Sequence, residues 1–415
     1  MILLNYANLI DQIFRISTTL QEARFSPKFF TRKRKMPFEK LLRFLLSGRK
    51  AATQAALDEF FQKSGDEIHM SQQALSKARN HFDHTPFSKA FYSTLAIEYN
   101  LEDDLKLERF RGYKIFAIDG STIPLPNLPE LRKTFGTTGA GATSPSARAS
   151  ITYDVTNDRI VEADIVPMAI DERTLAHDHI RKLDNRIIMD DSLFVFDRGY
   201  ASKELIRQIQ GQHAHFLMRT RRKFNLAVDA APMGSSIVML ENELSVRVVK
   251  FLLSSGEVET LITDLFDLEE EAFPELYFMR WPIECKYDIV KNKLELPNFT
   301  GWSCNIIRQD FWISMLLANT AAAAKTDADQ RIRQEREGKP NKYEYQANVN
   351  TIIATLRSRF ADAVFDEVPS RRKHRVDVII AEVAKSVVPK RPNRIISRNK
   401  NSRKTKYHHN KKSNV

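Results

Sequence analysis

The sequence predicts a mixed α/β fold, in which helices flank a sheet of mixed strand direction. Residues 149–155 and 159–166 alternate between apolar and polar side chains on either side of a short turn, which predicts a hairpin. The apolar runs that end at Asp119 and Asp197 are typical of buried strands, and a helical pattern follows the second run. A hairpin followed by strands that alternate with helices favours a sheet with antiparallel and parallel pairs.

Helical periodicity covers both ends of the chain. Apolar residues recur every three to four positions in several segments on either side of the predicted sheet. These segments are 7–24, 37–47, 51–63, 71–81 and 87–99 before the sheet, and 274–293, 305–325 and 350–364 after it. We therefore expect a helical domain before the sheet and a helical region after it.

Positive charge is concentrated in two segments. The chain has 415 residues and a net charge of +12, to which residues 22–50 contribute +8 and residues 385–415 contribute +11. The rest of the chain is therefore mildly acidic, at −7. Clustered Lys and Arg are typical of contacts to a nucleic-acid backbone, although a solvated, disordered tail has the same composition.

The composition excludes several classes of site. Two cysteines, Cys285 and Cys304, are too few for a disulfide framework or a zinc cluster, so a catalytic metal needs oxygen or histidine ligands. No apolar stretch reaches the ~18 residues of a membrane span, and the first residues lack the pattern of a signal peptide. We expect a cytoplasmic protein that makes no contact with a membrane.

Two acidic residues end predicted strands. Asp119 is followed by Gly120, and Asp197 by Arg198 and Gly199, so the backbone can turn sharply beside each carboxylate. Side chains at the carboxyl ends of adjacent strands meet at one edge of an α/β sheet, where ligands bind. An aspartate at a strand end is often only a turn residue or a helix cap, so neither one is decisive alone.

A third acid lies within a chemically unusual helix pattern. Tyr277, Arg280, Glu284 and Lys291 occupy positions i, i+3, i+7 and i+14, which fall within about 60° of each other on an ideal helix. Such a face suits a metal-bound phosphate, because Glu284 can bind the metal while the two cations and the Tyr277 hydroxyl contact phosphate oxygens. Pro282 is expected to kink or start the helix just before Glu284.

The spacing Tyr-x2-Arg-x3-Glu-x6-Lys resembles the YREK signature of DDE transposases from bacterial insertion sequences. The resemblance covers about residues 106–325. It implies an RNase H-like catalytic core with a β insertion between Asp197 and Glu284, and strand-like segments within 237–265 fit that insertion. Relatives use an insertion-domain tryptophan to hold a flipped base, whereas residues 221–263 contain none.

The activity that the resemblance implies is metal-dependent cleavage and strand transfer of DNA. Asp119, Asp197 and Glu284 are the expected ligands of two Mg²⁺ or Mn²⁺ ions, which prefer oxygen ligands and serve an in-line displacement at phosphorus. The implied partners are double-stranded terminal inverted repeats and target DNA, bound by a homodimer in the nucleoid of a bacterial cell. The alternatives are a nuclease of the same fold that does not join strands, and an inactive DNA-binding regulator.

Several basic residues outside the acidic cluster are expected to contact DNA. The segments 51–63 and 71–81 could form a helix-turn-helix-like reader, and the basic stretch 32–35 lies close to them in sequence. The predicted DNA-binding residues, besides those of the YREK pattern, are Arg198, Arg219, Arg221, Arg222, Lys77 and Arg79. Glu172 and Arg173 are weaker candidates for DNA contact or for support of the site.

The predicted organisation has six parts. In chain order these are a helical DNA-binding domain, the first part of the core, the β insertion, the second part of the core, a helical region and a basic tail expected to be disordered. Their bounds are 1–105, 106–220, 221–263, 264–325, 326–384 and 385–415.

Overall fold

The computed structural model describes residues 1–390, apart from residues 33, 49–51, 64, 66–68, 100–106, 140, 242 and 340–342. Most of the predicted basic tail lies outside the described residues. The chain divides into two compact units. The sheet unit consists of Leu95–Ile123 and Ala147–Tyr287, and the helical unit of Met1–Thr94, Pro124–Ser146 and the chain from Asp288 onward.

The helical region predicted before the sheet is confirmed, although the segment 7–24 forms two helices separated at Ile16 and the other helices have shifted ends. Ser71 accepts a hydrogen bond from the N–H of Ala74 at 3.3 Å and so caps the helix that follows it. The turn predicted between residues 63 and 71 lies partly outside the described residues. The first seven helices, α1 to α7, are Ile2–Arg15, Ser17–Ala23, Phe38–Leu46, Thr53–Lys63, Gln72–Arg79, Thr85–Leu95 and Pro129–Phe135.

The later helices differ more from expectation. Helices α8 to α12 are Glu172–Asp184, Lys203–Gly211, Leu226–Ala230, Ala272–Phe278 and Pro282–Asp288. A π-helical turn, Ile289–Lys293, follows α12. Helices α13 to α15 are Cys304–Arg336, Val349–Val364 and Pro369–Lys385.

The single helix predicted over 274–293 is wrong. Helix α11 ends at Phe278 and α12 begins at Pro282, because proline lacks the N–H that would continue the helical hydrogen bonds and fits the first position of a new helix. The domain boundary predicted after residue 325 is wrong too, since it falls inside the continuous helix α13.

The predicted mixed sheet is confirmed. Strands β1 to β8 are Lys114–Pro124, Ser146–Asp154, Arg159–Pro167, Ser192–Phe196, His215–Arg219, Gly234–Glu241, Leu244–Leu252 and Val258–Thr263. They form one sheet in the order β3-β2-β1-β4-β5-β8-β7-β6. The hairpin β2–β3 is antiparallel, whereas β4 pairs in parallel with both β1 and β5.

The strands predicted as a β insertion belong to this same sheet. Strand β8 pairs antiparallel with β5, and β7 and β6 follow it outward. The backbone hydrogen bonds of the core sheet therefore continue into the segment 221–263. That segment therefore extends the main sheet, which corrects the expectation of a small insertion outside it.

An apolar cluster lies on one face of this sheet, against α11. Its strand residues include Ile115, Leu193, Val195 and Leu217, and Leu276 of α11 is fully buried with them. Burying a side chain of this size contributes roughly 1.5–3 kcal/mol, so this face anchors α11 firmly. The anchor fixes the start of the chain segment that leads to Glu284.

The helical unit is built around α13, most of which is buried. The Asp327 carboxylate of α13 accepts hydrogen bonds from the N–H groups of Ile2 and Leu3, at 3.0 and 2.9 Å, and so satisfies the first turn of α1. Strands β9 and β10, Glu344–Ala347 and Val387–Lys390, pair antiparallel in this unit. Among the described helices, none is both long enough and apolar enough to cross a membrane.

Candidate active site

Strand register places Asp119 beside Asp197. Ala117 of β1 pairs with Val195 of β4 in a parallel ladder, and each aspartate lies two residues further along its strand. Side chains two residues apart point to the same face of a sheet, so both carboxylates emerge on one face at neighbouring positions. Strand β1 continues to Pro124, so the expectation that it ends at Asp119 is wrong, whereas β4 does end at Phe196.

Glu284 is brought to the same face by α12. The hydroxyl of Tyr287 donates hydrogen bonds to the backbone carbonyls of Asp119, at 2.7 Å, and Ala149, at 3.2 Å. Tyr287 lies one helical turn after Glu284, on the same side of the helix. The buried Lys286 forms an ion pair of 2.5 Å with Asp158 in the β2–β3 turn. These contacts fix α12 against the strand that carries Asp119.

Arg280 interacts with all three acids, Asp119, Asp197 and Glu284. Arg280 is 9% exposed and donates a 3.0 Å hydrogen bond to Glu284. Burial alone would lower the pKa of Arg280, but the Tyr277 hydroxyl, the bond to Glu284 and the carboxylates of Asp197 and Asp119 together raise it. The guanidinium therefore lies in the combined field of three carboxylates that come from β1, the end of β4 and α12.

The surroundings of Asp119 disfavour the charged form of its carboxyl group. Burial raises its pKa to about 6, and the nearby carboxylates of Glu172 and Asp197 add to this, against the effects of Arg280 and the N–H of Gly120. The N–H of Gly120 donates to the Asp119 carboxylate at 2.9 Å, and the N–H of Arg198 donates to Asp197 at 2.7 Å. Excess negative charge at this point suits a positively charged ligand.

The donor chemistry of the site fits a hard divalent cation. Asp119, Asp197 and Glu284 offer only carboxylate oxygens, the ligands that Mg²⁺ and Mn²⁺ prefer. A cation would also stabilise the charged form of Asp119, which burial and the neighbouring carboxylates disfavour. As the side chains stand, no three His, Cys, Asp or Glu residues within the described ranges are close enough together to hold an ion. Binding of one ion by all three acids would therefore require their side chains to move closer together.

Two other predicted DNA contacts lie near the acids. Burial raises the pKa of Tyr277 to about 12, and the Asp197 carboxylate contributes to the shift, so this phenol stays protonated as a hydrogen-bond donor. Arg219 forms a 2.5 Å ion pair with the buried Glu259 of β8. Its charge is thus already paired within the sheet unit.

The remaining predicted residues divide by exposure. Arg198, Arg221 and Arg222 are exposed in the sheet unit. Lys291 belongs to the helical unit, on the π-helical turn, so the expectation that one helix face carries all four YREK residues is wrong. Lys77 is exposed on α5.

Arg79 is not a surface residue. It is 1% exposed, and its guanidinium donates to the side chains of Gln309, at 2.9 Å, and Asp310, at 2.8 Å. A third bond goes to the hydroxyl of Thr300. All these partners belong to the helical unit. The prediction that Arg79 contacts DNA is therefore wrong, because its hydrogen-bonding groups are committed inside the protein.

Glu172 contributes more to the site than its sequence position suggested. It begins α8 and pairs with Arg148 of β2 at 2.9 Å. A Cβ atom on Gly120 would lie 2.8 Å from its carboxyl group, so glycine beside Asp119 makes room for this acid. The hydroxyl of Tyr200 is buried and has no hydrogen-bond partner among the described residues, and it lies near the carboxylates of Asp119 and Glu172. Only the glycine after Asp119 hinted at this arrangement.

A second candidate surface lies within the helical unit. The segment between α2 and α3 and one side of α5 form a concavity that we call the basic groove. Its described lining residues are Pro27, Lys28, Phe29, Phe30, Thr31, Arg32, Arg34, Lys35, Met36, Pro37, Met70, Ala74, Lys77, Ala78 and His81. Five of these residues carry positive charge at neutral pH and none is acidic, which fits the basic stretch noted in the sequence.

Known proteins resemble this chain in sequence. The family model described as Transposase DDE domain matches residues 110–320, just over half of the chain. The transposase InsG for insertion sequence element IS4 of Escherichia coli K12 is 23% identical over 319 residues, which cover 69% of this chain and 70% of that protein. The putative transposase InsZ of the same organism is 24% identical over 176 residues, 40% of this chain and 55% of that protein.

One solved structure resembles the chain distantly. It is the piggyBac transposase in a synaptic complex with hairpin DNA, determined by cryo-EM. The match covers 96% of this chain and 83% of that chain, at 10% sequence identity and a TM-score of 0.47.

Proposed function

We propose, since the chain belongs to the Transposase DDE domain family, that it cuts the ends of an insertion sequence and joins them to target DNA with two Mg²⁺ or Mn²⁺ ions. Membership of this family makes the chain a DNA-cleaving and strand-transferring enzyme. The proposal adds the ligands, which are Asp119, Asp197 and Glu284. The observation that carries it is the convergence of these three acids on Arg280.

The metal ions would supply two things when bound. They would activate the attacking oxygen and neutralise charge on the leaving oxygen of the phosphodiester. The protein positions the phosphate and excludes competing contacts. If Glu284 bound a metal ion in place of Arg280, the planar guanidinium of Arg280 would be able to bind two phosphate oxygens at once. Tyr277 stays protonated at neutral pH because its pKa is raised, so it can donate to a phosphate oxygen.

Basic residues away from the acids are proposed to hold the DNA backbone. Arg198, Arg221 and Arg222 are exposed in the sheet unit, and Lys77 lines the basic groove of the helical unit. We assign the same role to Lys291. Arg219 contributes only if it exchanges its partner Glu259 for a phosphate, as Arg280 would with Glu284.

The proposed substrate is double-stranded DNA, namely the terminal inverted repeats of the element and its target. A homodimer is proposed on DNA, since two ends must be held together for joining. The proposed location is the bacterial cytoplasm, at the nucleoid.

The decisive experiment is Mg²⁺-dependent cleavage of duplexes that carry the inverted repeats flanking the gene. We expect Glu284→Gln to lower cleavage at least about 10³-fold while DNA binding persists, because removing one ligand disables the metal site. Glu257→Gln, in the exposed β7–β8 turn, is the matched control and should cut normally. Normal cutting by Glu284→Gln would refute the site assignment.

The same assay separates the alternatives. Cleaved ends that are joined to a target plasmid identify a transposase reaction, whereas cleavage without joined products identifies a nuclease. Binding without either product, at any Mg²⁺ or Mn²⁺ concentration, identifies a regulator.

A further inference from the structure

The basic groove concentrates unbalanced positive charge. Lys28, Arg32, Arg34, Lys35 and Lys77 line it, with no Asp or Glu among its described lining residues. One ammonium group is fixed in place, since Lys35 donates to the carbonyl of His69 at 2.9 Å. Clustered positive charges repel one another, and a bound polyanion removes this repulsion. The counterions that the polyanion releases also favour binding.

The groove also contains aromatic rings with a defined geometry. The rings of Phe29 and His81 are stacked, with centroids 3.9 Å apart and planes inclined by 9°. Burial, together with the charges of Lys77 and Arg34, lowers the pKa of His81, so this ring is neutral at physiological pH. A stacked pair of flat rings among cations is the combination that binds the bases and phosphates of a nucleic-acid strand.

The groove is preformed rather than a mobile loop. Phe30 has a φ of 60°, which is rare and strained for a bulky residue. Its ring is held by edge contacts to Phe38, at 5.2 Å, and Phe82, at 5.9 Å. The backbone N–H of Phe25 donates to the carbonyl of His81 at 3.0 Å, which ties the start of the segment to the end of α5.

We propose that the basic groove binds single-stranded DNA, with phosphates on its Lys and Arg side chains and a base stacked beside Phe29. The inference rests on the proposed function for its choice of DNA, and adds the form of DNA that this surface takes. In a duplex, neighbouring bases cover each base face, so proteins read base edges with a helix or ribbon in the major groove. A concave surface lined by aromatic rings gains binding energy only from an unstacked base.

The proposal is tested by fluorescence anisotropy with the full chain in EDTA. The probes are a labelled oligothymidylate of about 12 nucleotides, within the site sizes of single-strand binders, and a duplex of equal length. We expect the single strand to bind through the groove, and the duplex to bind through the basic residues of the sheet unit. Phe29→Ala should weaken single-strand binding by about 5- to 150-fold, the effect of losing one stacked base, and leave duplex binding within about twofold.

A charge variant gives an independent readout. Lys77→Ala should reduce the slope of log affinity against log salt by about 0.7, because one phosphate contact of a single strand is lost. Phe29→Ala should leave that slope unchanged. Phe29→Trp, which retains a flat ring, should bind single strands at least as tightly as the wild type.

Two controls exclude general effects. Phe25→Ala removes an exposed aromatic ring outside the groove, and Lys373→Ala removes an exposed cation on α15, so both should bind like the wild type. Circular dichroism checks that each variant is folded. If Phe29→Ala does not fold, Phe29→Trp still tests whether the aromatic ring contributes to single-strand binding. Unchanged single-strand affinity in Phe29→Ala, or a weakened Phe29→Trp, would each overturn the proposal. No divalent metal is present, so a failed catalytic assignment would not affect this result.

Discussion

Replacing Arg79 by leucine separates a structural role from a DNA-binding role for this residue. In the folded chain its guanidinium bonds to Gln309, Asp310 and Thr300, and the ion pair to Asp310 is 1% and 3% exposed at its two ends. Leucine fills part of the space but offers no donor. The Asp310 carboxylate keeps its bonds from the N–H and hydroxyl of Thr300 but loses the positive charge paired with it.

The expected loss of stability is large. Breaking a buried ion pair by removing one partner typically costs about 3–5 kcal/mol, because the other charge remains buried without compensation. Total unfolding free energies are about 5–15 kcal/mol, so Arg79→Leu should lose a large share of the stability of the helical unit. Hydrogen exchange should show this as lost amide protection in α5 and in the first turns of α13.

Lys77→Leu is the matched variant, two residues earlier on the same helix. Its side chain is exposed, so we expect unchanged stability and weaker DNA binding with a smaller salt slope. The reasoning would be refuted if Arg79→Leu kept wild-type hydrogen exchange and instead lost DNA affinity, since Arg79 would then contact DNA after all.

Three further variants test the sheet unit. Burial raises the pKa of Asp119 to about 6, so ionising this carboxyl group lowers the stability of the folded state as pH rises from about 4 to 6. Asp119→Asn should therefore raise the free energy of unfolding by up to ~3 kcal/mol at pH 8 in EDTA and leave it unchanged at pH 4. Equal shifts of the urea midpoint at the two pH values would contradict this. The hydrogen bond to Asp264 raises the pKa of His215 above 6.5, so its stabilisation is present below about pH 6.5 and lost as pH rises through the raised pKa. His215→Gln should therefore cost about 1 kcal/mol at pH 5.5 and less at pH 9, whereas a pH-independent loss would argue against the pair. Tyr287→Phe should lower the free energy of unfolding by about 1–2 kcal/mol and reduce Mg²⁺-dependent cleavage more than DNA binding. Undiminished cleavage would show that this hydroxyl does not position Asp119.

The central sheet was predictable because its signals are local. The apolar run of β4 matches a strand that is buried throughout, and alternation identified β2 and β3 as strands. Most residues of β2 and β3 are nevertheless buried, so their polar residues do not mark a solvent-facing side. The order of the strands added after β5 was not predictable in this way. Alternation identifies a strand but does not say whether it pairs with an existing sheet edge or forms a sheet of its own.

The helix carrying Glu284 was predicted only in part. Constant rotation of 100° per residue placed Tyr277, Glu284 and Lys291 on one helix face. Pro282 interrupts the hydrogen-bond ladder between the first two, and the π-helical turn that follows α12 changes the rotation per residue before Lys291. The residue types of the YREK pattern were informative, but the ideal helix was the wrong geometry for them.

Burial of charged side chains was the least predictable feature. Arg79 and Lys77 are both basic residues on one short helix, and their fates differ because Asp310, 231 positions away in the chain, pairs with Arg79. Likewise, nothing near Glu172 in the sequence indicates that Gly120 leaves room for it. Long-range partners of this kind follow from the packed fold and leave no periodic signal.

The parallel register between β1 and β4 has a consequence for how this enzyme can change. Moving one strand by a single residue would turn Asp197 to the opposite face of the sheet, away from Asp119. The register itself is maintained by fully buried aliphatic residues such as Ile115 and Leu193. Substitutions at these aliphatic positions are therefore expected to displace the proposed site even when the acids are retained. Loss of activity through mutation can begin there while every carboxylate is still present.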